Sequence, residues 1–497
     1  MSFIEQAKKL ILSAEVNGDY SKKIIFIHGA AGTGKSYLLK QIRKENKQFE
    51  SRSYFLAPTG IAAHNIDGRT IHSLFSLKPS NIHKKKTLQE LQNLELKEFT
   101  KPKETIRSPL LKDTIVIDEI SMVRADLFDK ISELCKIACG NTLPFGGLRI
   151  ILIGDMYQLP PVVINNGTLS FTDRIFLENY GKQNAFFFKS RVWSDIIAFN
   201  NKNNSGYTAV NDMKITFIEL TEQFRQKNDV DFFKNLDSIR NNDCSNLDYF
   251  KTEDRNLCST IPFLTFYKQT AQEKNEIELK RLTKTPMTFK AKKTIKISNG
   301  AILDTIGTKG ENLFTDNIRA EEDLKIAINA KVMFIENNGN EYQNGTLGIV
   351  KAINKNNLNE DIIIVQKLDN GKEIIVNKYV WKQNIAEYDA VKKIWKKEAI
   401  FEQFPLILAY AMTVHKAQGS TLESAFIDFY HAKQQKIGRP FDFGQLYVAL
   451  SRVKNSKNIS VGKELDTFDV LPKQCVGDKE QVDNFIKQLK ITSLRNG

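Results

Sequence analysis

The stretch KKIIFIHGAAGTGKSYLLKQI, residues 22–42, constrains what this chain can fold into more than any other feature. The apolar run Ile24–Ile27 predicts a strand at 22–28, the spacing Gly29-x-x-x-x-Gly34-Lys35-Ser36 follows at once, and apolar residues at helical spacing come next. Strand, glycine-rich loop and helix in that order make a phosphate-binding loop. The glycines at 29, 32 and 34 let the backbone curl until its N–H groups and the helix N-terminus face phosphate oxygens. Gly29, Ala30, Ala31, Gly32, Thr33 and Gly34 are therefore the candidate nucleotide cradle. Lys35 would neutralise the β and γ phosphates, and the Ser36 hydroxyl would ligate magnesium. The fold class that follows is α/β, with ligands at the carboxyl ends of the sheet strands.

Hydrolysis needs carboxylates beside the cradle. In DTIVIDEISMV, residues 113–123, Ile115, Val116 and Ile117 bring Asp118 and Glu119 to the end of a second apolar strand, where a carboxylate left unpaired is costly. Asp118 is the candidate partner of Ser36 on magnesium, and Glu119 is the candidate for orienting or deprotonating water; a structural ion pair is the alternative. A third apolar strand, RIILIG at 149–154, runs into GDMYQLPPV, whose proline pair cannot continue a ladder and so holds Gln158 on a stiff turn. Arg225 in LTEQFRQ (220–226) and Arg452 in GQLYVALSRVK (444–454) each stand where an apolar segment ends. Guanidinium forks stabilise charge developing on a γ-phosphate, although each arginine alone is equally readable as a helix-surface residue. Their place far down the chain predicts a cleft closed by two domains, with the phosphate loop on one and the arginines on the other.

Composition enters at the question of partner. A net charge of +14 and a pI near 9.2 over 497 residues argue for a polyanion, of which nucleic acid is the commonest. Five cysteines make no disulfide framework, and Cys135 and Cys139 read as core thiols, not zinc ligands. MSFIEQAKKLILSAEVNGDY carries charges inside its apolar face, the pattern of an amphipathic helix and not of a signal peptide. No stretch approaches the ~18 apolar residues of a membrane span, so no membrane partner is expected.

IDEISMVRADLFDKI and LPFGGLRIILIGDMYQLPPV, together with APTGIAAHNIDGRTIHSLF (57–75), LTEQFRQ, AYAMTVHKAQGSTLE (409–423) and GQLYVALSRVK, resemble in their order the motifs of the petite-integration-frequency (Pif) helicases. These are RecD-like members of helicase superfamily 1B, with roles in DNA repair, recombination, replication and telomere maintenance. The resemblance implies two RecA-like motor domains, ATP and Mg2+ as cofactors, and ATP-driven 5′-to-3′ translocation on single-stranded DNA with unwinding of duplex and fork junctions. It implies that Gln158 reaches the γ-phosphate, that Gln6 in FIEQAKKL reads adenine, and that Gln418 and Gly419 touch nucleotide. It also implies a DNA track of Pro58, Thr59, Gly60, His72, Thr413, His415 and Lys416, and contacts to phosphates with aromatic stacking predict salt-sensitive, sequence-tolerant binding there.

Along the chain, residues 1–215 are expected to form the first motor domain, with a charged insertion at about 78–109 that resembles in place a separation wedge or reads as a solvated arm. Residues 216–328 and 404–497 are expected to form the second. Between them, 329–403 alternates apolar and polar residues about Asn338-Gly339, Asn344-Gly345 and Asn370-Gly371, the pattern of a small barrel, and the resemblance implies an SH3-like domain there. KRLTKTPMTFKAKKTIK, 280–296, holds seven basic residues and no acidic one, as a DNA path or a solvated face would. Two further readings stay open: an ATP-gated DNA-binding subunit of a recombination or replication assembly, and an RNA-directed helicase of the same superfamily. A bacterial chain is expected in the nucleoid-bearing cytoplasm, with nucleus and mitochondrion left open.

Overall fold

The computed structural model describes residues 3–16, 24–75, 77, 113–163, 171–202, 215–255, 261–282, 285–297, 302–304, 320–336, 338, 341–342, 346–384, 388–389, 394–395 and 397–496. The 78–109 insertion and the turns at 339 and 344–345 lie outside them. Two compact units emerge, the first made of 1–249, 439–456 and 465–497, the second of 250–438 and 457–464.

The first unit is built on strands β1 (Ile24–Gly29), β2 (Ser53–Ala57), β3 (Arg69–Thr70), β4 (Thr114–Ile117), β5 (Arg149–Gly154) and β6 (Ile215–Leu220), arranged β3-β2-β4-β5-β1-β6. Every neighbouring pair is parallel. Parallel strands covered on both faces must be apolar throughout, and β1, β2 and β4 are buried at every position. Helices α1 (Phe3–Val16) and α2 (Lys35–Glu45) bring Ile4, Ala7, Ile11, Leu38, Leu39 and Ile42 into the core with Ile25, Ile27 and Ile151. Further helices are α3 (Ala125–Cys139), α4 (Phe171–Asn179), α5 (Arg191–Lys202), α6 (Val230–Arg240), α7 (Gln445–Leu450) and α8 (Val476–Asn496).

The expected boundary at 215 is corrected by this sheet. β6 pairs with β1 from Ile24↔Ile215 to Gly29↔Leu220, so the chain beyond 215 completes the first unit through Tyr249. The C-terminal helix belongs there too, not with the second domain. Phe485 of α8 is 4% exposed and lies 4.2 Å, centroid to centroid, from the ring of Phe188, 5.6 Å from Trp193 and 5.7 Å from Phe26. An aromatic of that size buried among other rings, Phe187 also among them at 5.6 Å, ties a helix to its sheet firmly.

In the second unit, β7 (Phe263–Thr265) precedes an antiparallel region with β8 (Lys331–Phe334), β9 (Leu347–Lys355), β10 (Asp361–Lys367), β11 (Glu373–Val376) and β12 (Leu406–Leu408), after which come β13 (Ala411–Thr413), β14 (Ala425–Asp428) and β15 (Ile459–Val461). The parallel sheet has the order β13-β7-β14-β15. The antiparallel sheet has the order β11-β10-β9-β8-β12, and Asn370-Gly371 lies in the β10–β11 connection as its turn chemistry predicts. This β region is wider than 329–403. Its core joins Val332, Phe334, Val350, Ile363 and Val365 to Phe289, Leu324 and Ile326 before it and to Phe404, Leu406 and Leu408 after it. Within the basic 280–296 stretch, Met287–Lys290 and Lys292–Ile297 are strands of the same unit, and Lys293 pairs with Glu322.

Candidate active site

The phosphate loop sits where β1 hands over to α2. Gly32 and Gly34 have φ of 85° and 83°, left-handed backbone that side chains rarely adopt. A Cβ at Gly32 would also lie 2.2 Å from Gln223 Oε1. Lys35 Nζ donates to the carbonyls of Gly29 (2.8 Å) and Ala30 (2.9 Å). Burial lowers the Lys35 pKa, and the carboxylates of Asp155, Glu119 and Asp118 oppose that loss of charge.

At the end of β4, Ser36 Oγ donates to Asp118 Oδ2 at 3.3 Å, and the Glu119 N–H donates to Asp118 Oδ1 at 2.9 Å. Burial, with the Glu119 charge beside it, pushes Asp118 up to about 7. A buried carboxylate short of positive charge and a hydroxyl within hydrogen-bond reach are the hard oxygen donors magnesium takes, so Ser36 and Asp118 fit the cation. Glu119 adopts φ 50°, left-handed backbone that costs a side chain-bearing residue roughly 1–2 kcal/mol and that clusters at functional sites. Its carboxylate opposes the lowering of the Lys35, Arg225 and Arg452 pKa values alike, so it acts electrostatically on all three.

Both arginines belong to this same unit, which corrects the expectation that the phosphate loop and the arginines stand on different domains. The physical reason is the path of LTEQFRQ directly after β6. Phe224 N–H donates to the Gly32 carbonyl at 2.9 Å, and Gln223 Nε2 donates to the Ala31 carbonyl at 2.9 Å. Ser451 then gathers the two guanidinium groups: Arg225 NH1 donates to its carbonyl at 2.8 Å and Arg452 NH2 to its hydroxyl at 2.8 Å. Arg452, 2% exposed, is brought down to about 9 by burial and then by the Arg225 charge. Burial lowers Arg225 as well.

Gln158 is 4% exposed on the turn after β5, and its Nε2 donates to Asp155 Oδ2 at 3.5 Å. Burial favours the protonated form of Asp155, yet Arg240 of α6, donating through NH2 at 3.0 Å and through Nε, holds it at about 2. Tyr447 of α7 donates its hydroxyl to Asp155 Oδ2 at 3.1 Å and accepts the Ala31 N–H at 2.7 Å. His28 Nε2 lies 2.8 Å from Arg240 NH2, and burial, then that guanidinium, pushes the imidazole down to about 3.

Near the loop, a Cβ at Gly34 would lie 3.1 Å both from Ile4 Cδ1 and from the ring of Phe224, which is 41% exposed. Gln6 is exposed on α1, two residues from Ile4. Phe224, Gln223, Arg240 and Tyr447 join the site without having been expected from the sequence. The first two and Tyr447 stand inside motifs already singled out for their arginines, whereas Arg240 closes an ordinary helix and carried no signal.

The nucleic-acid candidates divide between the units. Pro58 and Thr59 are half-buried after β2, and Thr59 Oγ1 accepts the Ala62 N–H of the short helix that begins at Gly60. His72 is half-buried and is lowered to about 4 by burial. In the second unit, the Thr413 hydroxyl accepts the Lys416 N–H at 3.4 Å and caps Val414–Ala417, the turn that carries His415. Gln418 is buried, and Gly419 has φ 81°. Among the described residues no cluster of three or more His, Cys, Asp or Glu could hold a metal, and no helix is long and apolar enough to cross a membrane.

The family model described as PIF1-like helicase matches residues 4–247. The ATP-dependent DNA helicase Pif1 of Campylobacter jejuni is 28% identical over 440 residues, 88% of each chain. That of Emericella nidulans is 28% identical over 92% of this chain and 60% of its own length. Among solved structures, Bacteroides sp Pif1 in complex with ADP-AlF4 is 27% identical with a TM-score of 0.62, covering 97% of each chain. Bacteroides Pif1 bound to ssDNA is 26% identical with a TM-score of 0.61, covering 98% of this chain and 97% of its own.

Proposed function

We propose that this chain, a Pif1-like helicase by sequence and fold, is an ATP-dependent DNA helicase that moves 5′-to-3′ on single-stranded DNA and unwinds duplex at overhangs and forks. The observation that carries the reading is the convergence of Lys35, Asp118, Glu119, Gln158, Arg225 and Arg452 in one unit around one phosphate loop.

ATP enters with its phosphates toward the loop N–H groups and the Lys35 ammonium. Ser36 and Asp118 would hold magnesium, which when bound supplies positive charge against the phosphate oxygens. Glu119 orients the attacking water and takes its proton as the new bond to the γ-phosphorus forms. As the bond to the leaving ADP oxygen breaks, Arg225 and Arg452 take up the charge on the transferring phosphoryl group. Gln158, a neutral amide able to donate and accept, distinguishes the presence of the γ-phosphate from its absence without adding charge. Gln6 and the exposed Phe224 ring beside Gly34 are the groups for the base. Pro58, Thr59, Gly60 and His72, and separately Thr413, His415 and Lys416, are assigned to DNA phosphates.

The test is ATP turnover by the purified chain with and without single-stranded DNA, and with RNA of the same sequence. Strong stimulation by DNA and weak stimulation by RNA is the expected result. Turnover that ignores DNA would overturn the reading, and equal stimulation by RNA would move it to the RNA-directed alternative.

A further inference from the structure

Tyr447 stands apart from the residues assigned above, since nothing in the proposed hydrolysis uses it. It is 3% exposed, deep within the first unit, at the third position of α7. Its hydroxyl makes two hydrogen bonds in opposite senses, accepting the Ala31 N–H at 2.7 Å and donating to Asp155 Oδ2 at 3.1 Å. One side of this bridge is therefore the phosphate loop and the other is the turn that carries Gln158.

The helix that supplies the bridge also supplies an arginine. α7 ends at Leu450; Arg452 follows and is locked back onto the helix, with Nε donating to the Val448 carbonyl at 2.8 Å and NH2 to the Ser451 hydroxyl at 2.8 Å. With the guanidinium held by its own helix, any shift of α7 relative to the phosphate loop carries Arg452 with it. The start of the helix is fixed as tightly: Gly444, φ 71°, packs so closely that a Cβ there would come within 2.4 Å of the Tyr157 carbonyl and 2.9 Å of the Gln158 carbonyl. Asp155 cannot drift either, because Arg240 and the buried backbone of the turn grip it.

We propose that Tyr447 is a positioning residue of the ATPase site: through the bridge Ala31 N–H to Tyr447 hydroxyl to Asp155 carboxylate it registers the Arg452-bearing helix on the phosphate loop and the Gln158 turn. The proposal rests on the reading of Arg452 as a γ-phosphate residue. A misregistered arginine leaves ground-state nucleotide binding to the loop and Lys35 largely intact and weakens only the transition state. Small displacements are enough for a large kinetic effect in a pre-organised site.

Tyr447→Phe removes one oxygen and keeps the ring. The expected result is kcat for DNA-stimulated ATP hydrolysis reduced ~10- to 100-fold, with KM for ATP within about threefold of wild type. Arg452→Ala added to Y447F should then cost much less than it costs the wild-type chain, because the arginine is already out of place. A merely structural tyrosine would lower thermal stability without producing this split or this non-additivity. Wild-type kcat in Y447F, a rise in KM alone, or fully multiplicative losses with R452A would each overturn the proposal. Hydrogen exchange on the unaltered chain gives a check free of any variant. The Ala31 amide should be protected both without nucleotide and with ADP, and rapid exchange in the folded protein would overturn the bridge. Wild-type chain that lacks DNA-stimulated turnover altogether would instead refute the helicase reading, leaving the exchange result to judge the bridge.

Discussion

At the scale of single residues, the chemistry divides cleanly enough to be tested one side chain at a time. Glu119→Gln keeps the size and hydrogen-bonding reach of the side chain but loses its basicity. Nucleotide affinity should therefore persist while DNA-stimulated turnover falls ~10²–10⁴-fold, as measured by nucleotide titration beside steady-state hydrolysis. Arg225 and Arg452 share Ser451, and the Arg225 charge helps to lower the Arg452 pKa. Each alanine substitution should suppress turnover strongly, and the double substitution should cost far less than the product of the singles; multiplicative losses would argue against a common phosphoryl target. These residues were legible in the sequence because each stands in a short motif at the end of an apolar run. Their common location was not. Two arginines 227 positions apart (452 − 225) give no hint of meeting at Ser451, and the sequence reading assigned them to another domain from the phosphate loop.

At the scale of elements, the site is held by helices whose roles no motif announces. α6 delivers Arg240 onto the buried Asp155, and β1 delivers His28 onto Arg240. Removing one partner of a buried ion pair leaves the other charge uncompensated, so Arg240→Ala should destabilise the chain by ~3–5 kcal/mol in denaturant unfolding, far beyond a surface substitution. His28 gives the same layer a pH dependence. Its folded pKa, about 3, lies below its ordinary value of 6.5, and its Nδ1 is buried without a partner. The unfolded chain therefore binds a proton between those two values and the folded chain does not, and stability should fall as pH drops from 6.5 toward 3. Asp155 adds a second loss only below its ordinary value of 3.8, as pH falls toward about 2. Denaturant midpoints from pH 7 to pH 4 should show the first slope, and His28→Gln should flatten it. Strand and loop order in the first sheet could be read from apolar runs and glycine spacing. The edge strand β6 could not, since the short, mostly apolar run ITFIEL marks a strand without saying which sheet it extends. The wider β region escaped for a related reason: Phe289, Leu324 and Ile326 come from short strands whose apolar residues become core only when folded against 332–376.

At the scale of the whole molecule, a net charge of +14 is the charge expected of a chain whose proposed partner is a phosphate backbone. Its affinity for single-stranded DNA should fall steeply and linearly on a log–log plot against salt, with little dependence on base sequence. Fluorescence anisotropy across a salt series would check both. Should Gln158 sense the γ-phosphate, the ratio of DNA affinities in a non-hydrolysable ATP analogue and in ADP should collapse toward one in Gln158→Ala, and linkage requires an equal loss of the effect of DNA on nucleotide affinity. Helicase activity and its polarity are measured together by strand separation by the purified chain on matched duplexes with a 5′ overhang, a 3′ overhang or blunt ends. A 5′-to-3′ helicase gives ATP-dependent unwinding of the 5′-overhang duplex, little on the other two, and none by Glu119→Gln on any. Tight nucleotide-gated DNA binding without strand separation, or unwinding that prefers the 3′ overhang, would contradict it.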